Sequence, residues 1–409
     1  MTGTRDSLAA KIREIAGKGK IKQRILATII SGLLSLPQRN NFKQMSKWFG
    51  VNETTVHNWY KRDMELCEFN RKLIDKWGSG TYVVIFDPSY LSKSGKHTPG
   101  LGYYWSGQAG AVKRGLEIGS FAVGDVVHHT AFHLHAALTP KSEDLKAKGE
   151  TLMDHYVSLV KERKSDIAHF GGKLACDGYF GVRTFVKPVC DMGITLISCL
   201  KSNVCLHYTP EVVAGKKGRG RPKSKGDKID WEKIDDQKLP LVHEDKEKRI
   251  RSAKVWVKCL RRLVKLVAVE YLKADGSLQC RKLYFSTDID MEWSEIFSSY
   301  GLRFQIEFLF RDAKQHLGLT HCQSTDKTKF ENHINLTLST VSVAKAAHWI
   351  TIPKEDRGAF SMAELKTYYH NLALVEQFSA VLGLDATCVK NNPGIKNLLF
   401  SNYYAAWAA

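Results

Sequence analysis

The segment YGLRFQIEFLFRDAK, Tyr300 to Lys314, constrains the fold of this chain more than any other stretch. Read as one continuous helix at about 100° per residue, it gathers Tyr300, Arg303, Glu307, Arg311 and Lys314 into a wedge of roughly 80°. Leu302, Ile306, Leu309 and Ala313 form an apolar stripe on the other flank, suited to packing on a sheet. Such a helix needs a sheet beneath it and a ligand for its polar face. Arg and Lys attract phosphate and Tyr can stack on a base, whereas a carboxylate among them mainly repels it. Glu307 makes sense there if a divalent metal lies between it and the phosphate. Glu–Arg pairing on a solvated face is the plainer alternative.

The charge balance favours a polyanionic partner: 61 Lys or Arg stand against 42 Asp or Glu, a formal net charge of +19. At 409 residues the chain has room for two to four domains. Its nine Cys include no Cys-x-x-Cys pair, which argues against a zinc ribbon or a disulfide framework and for reduced thiols. The longest largely apolar run, Ile25 to Leu36, is too short to span a bilayer. A soluble intracellular protein, not one of a membrane, is expected.

Residues 1–78 read as a helical DNA-binding domain. In FKQMSKWFGVNETTVHNWYKR, residues 42–62, Met45, Phe49, Val51, Val56 and Trp59 are apolar where two crossing helices bury side chains. Gly50 permits the turn and Asn52 can cap the second helix. This is a helix-turn-helix pattern, with Thr54 and Asn58 as candidate base-reading residues. From Thr81 the character changes. TYVVIFDPSYL predicts a strand with Asp87 near its end, closed by Pro88, and two further strands follow in AVKRGLEIGSFAVGD and HHTAFHLHAAL. After a charged helical stretch, HFGGKLACDGYF predicts a strand delivering Asp177 to a Gly-flanked turn, then a helix and the strand ITLISCLK. This order suits an α/β chain of several domains built on an RNase H-like core, whose first and fourth strands lie side by side. The core is expected at 79–201 and 286–348. A β-rich insertion at 202–285 carries a basic loop at 215–228 with seven Lys or Arg against one Asp. C-terminal helices fill 349–409.

Tyr300, Arg303, Glu307 and Lys314 fill the pattern Y-x2-R-x3-E-x6-K, which resembles the signature of DDE transposases of the insertion-sequence 4 family. FDPSY around Asp87 and CDGYF around Asp177 are similar to that family's other two motifs, and the resemblance covers about residues 81–348. It implies a DNA transposase of a prokaryotic cytoplasm, working at the nucleoid, that cleaves insertion-sequence ends and transfers them to target DNA. Asp87, Asp177 and Glu307 would be the catalytic, metal-holding carboxylates for two Mg2+ ions, with Mn2+ able to substitute. Asp87 would bridge both metals. Arg303, Lys314 and Tyr300 would grip phosphates at the element end, Tyr300 near a displaced nucleotide, and related members imply a hairpin intermediate. Since two ends must be cut and joined together, a homodimer in a synaptic complex on double-stranded terminal inverted repeats is expected. The alternatives are a structure-specific RNase H-like nuclease and a transposase-derived DNA-binding regulator.

Other features invite plainer readings. His128, His129, His133 and His135 read as a polar sheet face, since no carboxylate or Cys stands at ligand spacing. Arg219 and Arg221 resemble the core of an AT-hook, but a loop touching phosphates is the simpler role. Trp231, Trp256 and Trp293 are core or interface aromatics, and Ser89 either orients Asp87 or caps a turn.

Overall fold

The computed structural model describes residues 5–16, 19–37, 39–210, 225–351 and 358–400. Five helices open the chain: α1 (Arg5–Ile15), α2 (Lys20–Ser35), α3 (Phe42–Phe49), α4 (Glu53–Lys61) and α5 (Leu66–Trp77). The α3–α4 pair forms for local reasons. Asn41 and Asn52 accept hydrogen bonds from the N–H groups of Gln44 and Thr54, capping the two helices, and Gly50 takes the left-handed turn at φ 64°. Met45 and Val56 are buried between them. Phe49 seats on Gly32 of α2, where a Cβ would lie 2.2 Å from the ring.

The next strands and helices are β1 (Tyr82–Ser92), β2 (Gly102–Ser106), β3 (Ala111–Asp125), β4 (Thr130–Leu138), α6 (Ser142–Ala147), α7 (Leu152–Glu162), α8 (Lys164–His169), β5 (Lys173–Cys176), α9 (Arg183–Asp191) and β6 (Thr195–Leu200). β3 pairs antiparallel with both β1 and β4, while β1, β5 and β6 run parallel in that order. This mixed α/β arrangement is compatible with an RNase H-like core. Two details depart from expectation. β1 continues past Pro88 to Ser92, because β5 stops opposite Phe86 and leaves no donor demand on that edge. The short strand β2, in a Gly- and Tyr-rich stretch without clear periodicity, was not expected.

Beyond β6 come β7 (Leu206–Tyr208), β8 (Leu241–Glu244), β9 (Lys248–Val257), β10 (Arg262–Leu272) and β11 (Leu278–Ser286). β11 pairs with β6, so among the described residues eleven strands form one continuous sheet. A turn at Ala274-Asp275-Gly276 separates β10 from β11, with Gly276 at φ 80°. The last helices are α10 (Trp293–Leu302), α11 (Gln305–His316), α12 (Lys327–Thr351), α13 (Met362–Val381), α14 (Ala386–Asn391) and α15 (Pro393–Phe400).

The Tyr300–Lys314 segment is therefore two helices, not one. The weak helix former Gly301 precedes the break at Arg303–Phe304, where i→i−3 hydrogen bonds tighten the backbone. The apolar stripe survives: Leu302, Ile306, Leu309 and Ala313 are all buried.

Helix α12 joins the parts. It packs against β4, α2, α4, α5, α11 and α13, and its Asn335, Thr337, Ser339, Thr340, Ser342 and Lys345 are all buried. Asn335 reaches across to β4, accepting from Ala136 N–H at 2.8 Å and donating to Ala136 O at 2.8 Å. Asn332 donates to the carbonyls of Tyr60 and Arg62, holding the end of α4. Among the described residues no helix is long and apolar enough to cross a membrane, and all nine cysteines are free.

Candidate active site

Parallel pairing sets the first two carboxylates. Phe86 stands opposite Cys176, the last register pair of β1 with β5, so Asp87 and Asp177 follow side by side where the strands part. Asp177 opens a single 3-10 turn, Gly178–Phe180, its Oδ1 accepting from Gly178 N–H at 2.7 Å. Ser198 on β6 donates to the Asp177 carbonyl at 2.9 Å. A Cβ at Gly181 would lie 2.7 Å from the Cys199 carbonyl, so only glycine lets the turn lie this close to β6.

Arg303 ties in the third carboxylate. Its Nη1 is 3.8 Å from Asp87 Oδ1 and its Nη2 is 3.3 Å from Glu307 Oε1. The Arg303 and Asp87 side chains are each 16% exposed and Glu307 is 42% exposed, so the cluster opens to solvent on the Glu307 side. Buried Arg303 Nε has no hydrogen-bond partner, which leaves the guanidinium donor capacity to spare. Tyr300 lies beside it, with Arg303 Cζ 5.8 Å from the ring centroid, and tilts against Tyr284 at 4.6 Å. Lys314 donates to Ser89 Oγ at 3.2 Å and Tyr90 O at 3.0 Å. Ser89 therefore anchors the lysine.

The electrostatics follow from burial. Burial, with repulsion from Asp177 and Glu307, pushes the Asp87 carboxyl up to about 7 despite the opposing Arg303. Burial pulls Arg303 down, but the field of Asp87 and the other acidic groups outweighs it, and its pKa rises. Burial lowers the Lys314 ammonium, and Asp87 partly opposes this. Burial also raises the Tyr300 phenol well above its ordinary value. A further buried carboxyl, Glu117, lies opposite Tyr90 on β3 and accepts from the Tyr156 hydroxyl at 2.6 Å. Burial raises Glu117, and it adds to the repulsion felt by Asp87. Sequence reasoning missed Glu117, since only the β1–β3 register brings it near the site.

Among the described residues, no three His, Cys, Asp or Glu side chains converge closely enough to hold one metal ion as they stand. Arg303 lies between Asp87 and Glu307. The donor set nonetheless fits a hard divalent cation. It is all carboxylate oxygen, and burial with two neighbouring carboxylates disfavours the charge on Asp87, a cost that a cation would offset.

The other candidates lie elsewhere. Arg311 does not join the cluster. It binds its neighbour Asp312 at 3.0 and 2.9 Å and stacks on Phe308, because a carboxylate one residue away offers both guanidinium bonds. Thr54 and Asn58 are exposed on α4. Arg219 and Arg221 lie outside the described residues. His133 Nε2 meets Asn335 Oδ1 at 3.0 Å, and His128 pairs with Asp125 at 3.0 Å. Trp231 carries the Arg281 guanidinium 4.2 Å from its ring centroid, and Trp293 stacks on His243.

A family model described as the transposase DDE domain matches residues 126–342, more than half of the chain. The chain belongs to the DDE transposase family. The matched span of this transposase contains Asp177, Tyr300, Arg303, Glu307 and Lys314. Asp87 precedes the span, and it is the β1–β5 register that sets it beside Asp177. No curated protein matches the chain.

Proposed function

We propose that this transposase cuts the ends of an insertion sequence and joins them to target DNA, with Asp87, Asp177 and Glu307 as its catalytic carboxylates and a fold of the insertion-sequence 4 type. The observation that carries this reading is Arg303 set between Asp87 and Glu307, with Asp177 following beside Asp87 at the end of β5. The carboxylates would hold two Mg2+ ions, or Mn2+ in their place, which activate an attacking oxygen and stabilise a leaving one at phosphorus.

The chain's own residues prepare the site for a phosphodiester. Arg303 at 3.8 Å is a loose partner for Asp87. A phosphate offers it paired acceptors, so the guanidinium turns from carboxylate to DNA as substrate enters. With the guanidinium turned away, Asp87 and Glu307 would be the residues left to hold a divalent cation. Lys314, fixed by Ser89 and Tyr90, presents a second positive charge near Asp87. Tyr300 offers a ring to an unstacked base beside the cut. The exposed face of α4, with Thr54 and Asn58, would read the terminal repeats, and a homodimer would bring two ends together.

The test uses duplexes ending in inverted repeats to be identified in the DNA on either side of the gene. Glu307→Gln and Asp177→Asn should cleave more than ~10-fold more slowly than wild type while still binding, as expected on loss of a metal ligand. Cleavage by Glu307→Gln at a tenth of the wild-type rate or faster would refute the assignment. Strand-joined products distinguish a transposase from a plain nuclease.

A further inference from the structure

The β2–β3 hairpin stands out from the sheet. β1 stops pairing with β3 at Gly115 and β4 at Ile118, so Ala111 to Arg114 pair with β2 alone and form a two-stranded ribbon. Residues directly opposite in an antiparallel pair share a face, as do residues two apart. Tyr103 opposite Arg114, and Trp105 opposite Val112, therefore make up one face of the ribbon. Tyr103 is 73% exposed and Trp105 60%. A bare two-stranded ribbon is only marginally stable in water, and nothing in its own packing calls for two large aromatics on the open face. Residues 88–116 contain four Lys or Arg and no Asp or Glu.

The ribbon is anchored to the active site. The Tyr90 hydroxyl donates to the Arg114 carbonyl at 2.7 Å, while the Tyr90 carbonyl accepts from Lys314. A Cβ at Gly115 would lie 2.5 Å from the Tyr90 ring, so the ribbon's base is packed tight. Asp87 pairs with Ser120 and Trp105 with Val112. The aromatic face is thus eight residues along β3 from the carboxylates, about 26 Å at 3.3 Å per residue. It lies toward the end to which β1 runs from Asp87.

We propose that this face binds an unpaired stretch of DNA next to the strand being cut or joined, Tyr103 and Trp105 stacking on bases and Arg114 meeting a phosphate. Two rings on one strand, about 6.7 Å apart, can each take the face of a base. A paired duplex hides those faces within its stack, whereas an unpaired strand presents them. The acid-free, basic surroundings match the phosphate charge. The inference rests on the transposase reading for DNA as the polymer, but not on the identity of the catalytic carboxylates.

The experiment measures binding of fluorescein-labelled oligo-dT, and of a random duplex of equal length, by anisotropy at physiological ionic strength. A chelator is present throughout so that no DNA is cut. Adding Tyr103→Ala with Trp105→Ala should weaken oligo-dT binding by about tenfold or more and duplex binding by less than about twofold. Trp105→Leu alone, which keeps the strand apolar but removes a ring, should give a smaller loss in the same direction. Adding Arg114→Ala should lower the salt dependence by up to ~1 unit, whereas Lys113→Ala, on the other face of the ribbon, should change it less. Equal losses on both DNAs, or none, would overturn the proposal. So would unchanged DNA binding with a lost dimer in light scattering, which would mean a second copy of the chain covers this face. Loss of end cleavage in Glu307→Gln is read separately, so either reading can fail alone.

Discussion

Asp87→Asn should make the metal-free protein more stable at alkaline pH while abolishing catalysis. Burial and two neighbouring carboxylates raise Asp87 from 3.8 to about 7 in the folded chain. A carboxyl raised on folding contributes stability that is full below its unfolded pKa and is lost as pH climbs through its folded pKa. The window here is about pH 4 to 7. At pH 4.5 the folded protein keeps the Asp87 proton, so the wild type and the nearly isosteric asparagine should differ little. By pH 8 the wild type must hold a buried anion against Asp177 and Glu307, offset only in part by Arg303 at 3.8 Å. Between pH 4.5 and 8 the advantage of asparagine should grow by about 3 kcal/mol at most, at 1.36 kcal/mol per pKa unit. Paired thermal melts at the two pH values, with chelator present, measure this difference of differences. Adding Mg2+ at pH 8 should then stabilise the wild type and not the variant. A variant no more stable than wild type at pH 8, or an advantage that is the same at both pH values, would refute the electrostatic account of the site.

Other outcomes follow from the same structure. Asn335→Ala removes one side chain bonded to both β4 and α12 and leaves the buried Ala136 N–H and C=O short of partners; urea unfolding should show a loss of about 2–4 kcal/mol. Thr54→Ala with Asn58→Ala should reduce discrimination between element ends and random DNA in gel shifts, with residual affinity that depends steeply on salt. Neutralising four of the seven basic residues at 215–228 should flatten the log-affinity against log-salt slope by up to ~3–4 units. If Arg219 and Arg221 instead enter a minor groove, their replacement should penalise A·T-rich DNA more than G·C-rich DNA.

Much of this site is legible in the residues alone. An apolar strand delivering an aspartate before Pro88, and CDGYF after a second strand, are local patterns, and the strand order implies that Asp87 and Asp177 meet. Glu307 stands out by its Arg, Tyr and Lys neighbours at helical spacing. What escapes a linear reading depends on contacts distant in sequence. The break at Arg303 is coupled to where its guanidinium goes, and Asp87 lies 216 positions away in the chain. Arg311 looks equivalent to Arg303 on a helical wheel, yet Asp312 beside it captures its charge. Glu117 reads as one polar residue in an apolar strand until register sets it opposite Tyr90, where its charge is felt by Asp87. The ribbon of Tyr103 and Trp105 shows no periodicity beyond five residues, too little to mark a strand.

The polar interior of α12 bears on how this enzyme could measure DNA. α4 is not tethered by a slack linker. Its end hangs on Asn332, and the same helix is bolted to β4 through Asn335 and Lys345. The separation between the exposed face of α4 and the carboxylates is thus a fixed dimension of the fold. A DNA end gripped at α4 would be cut at a set count of bases from the gripped sequence. Inserting a few base pairs between the two would carry the scissile bond out of reach without weakening the grip.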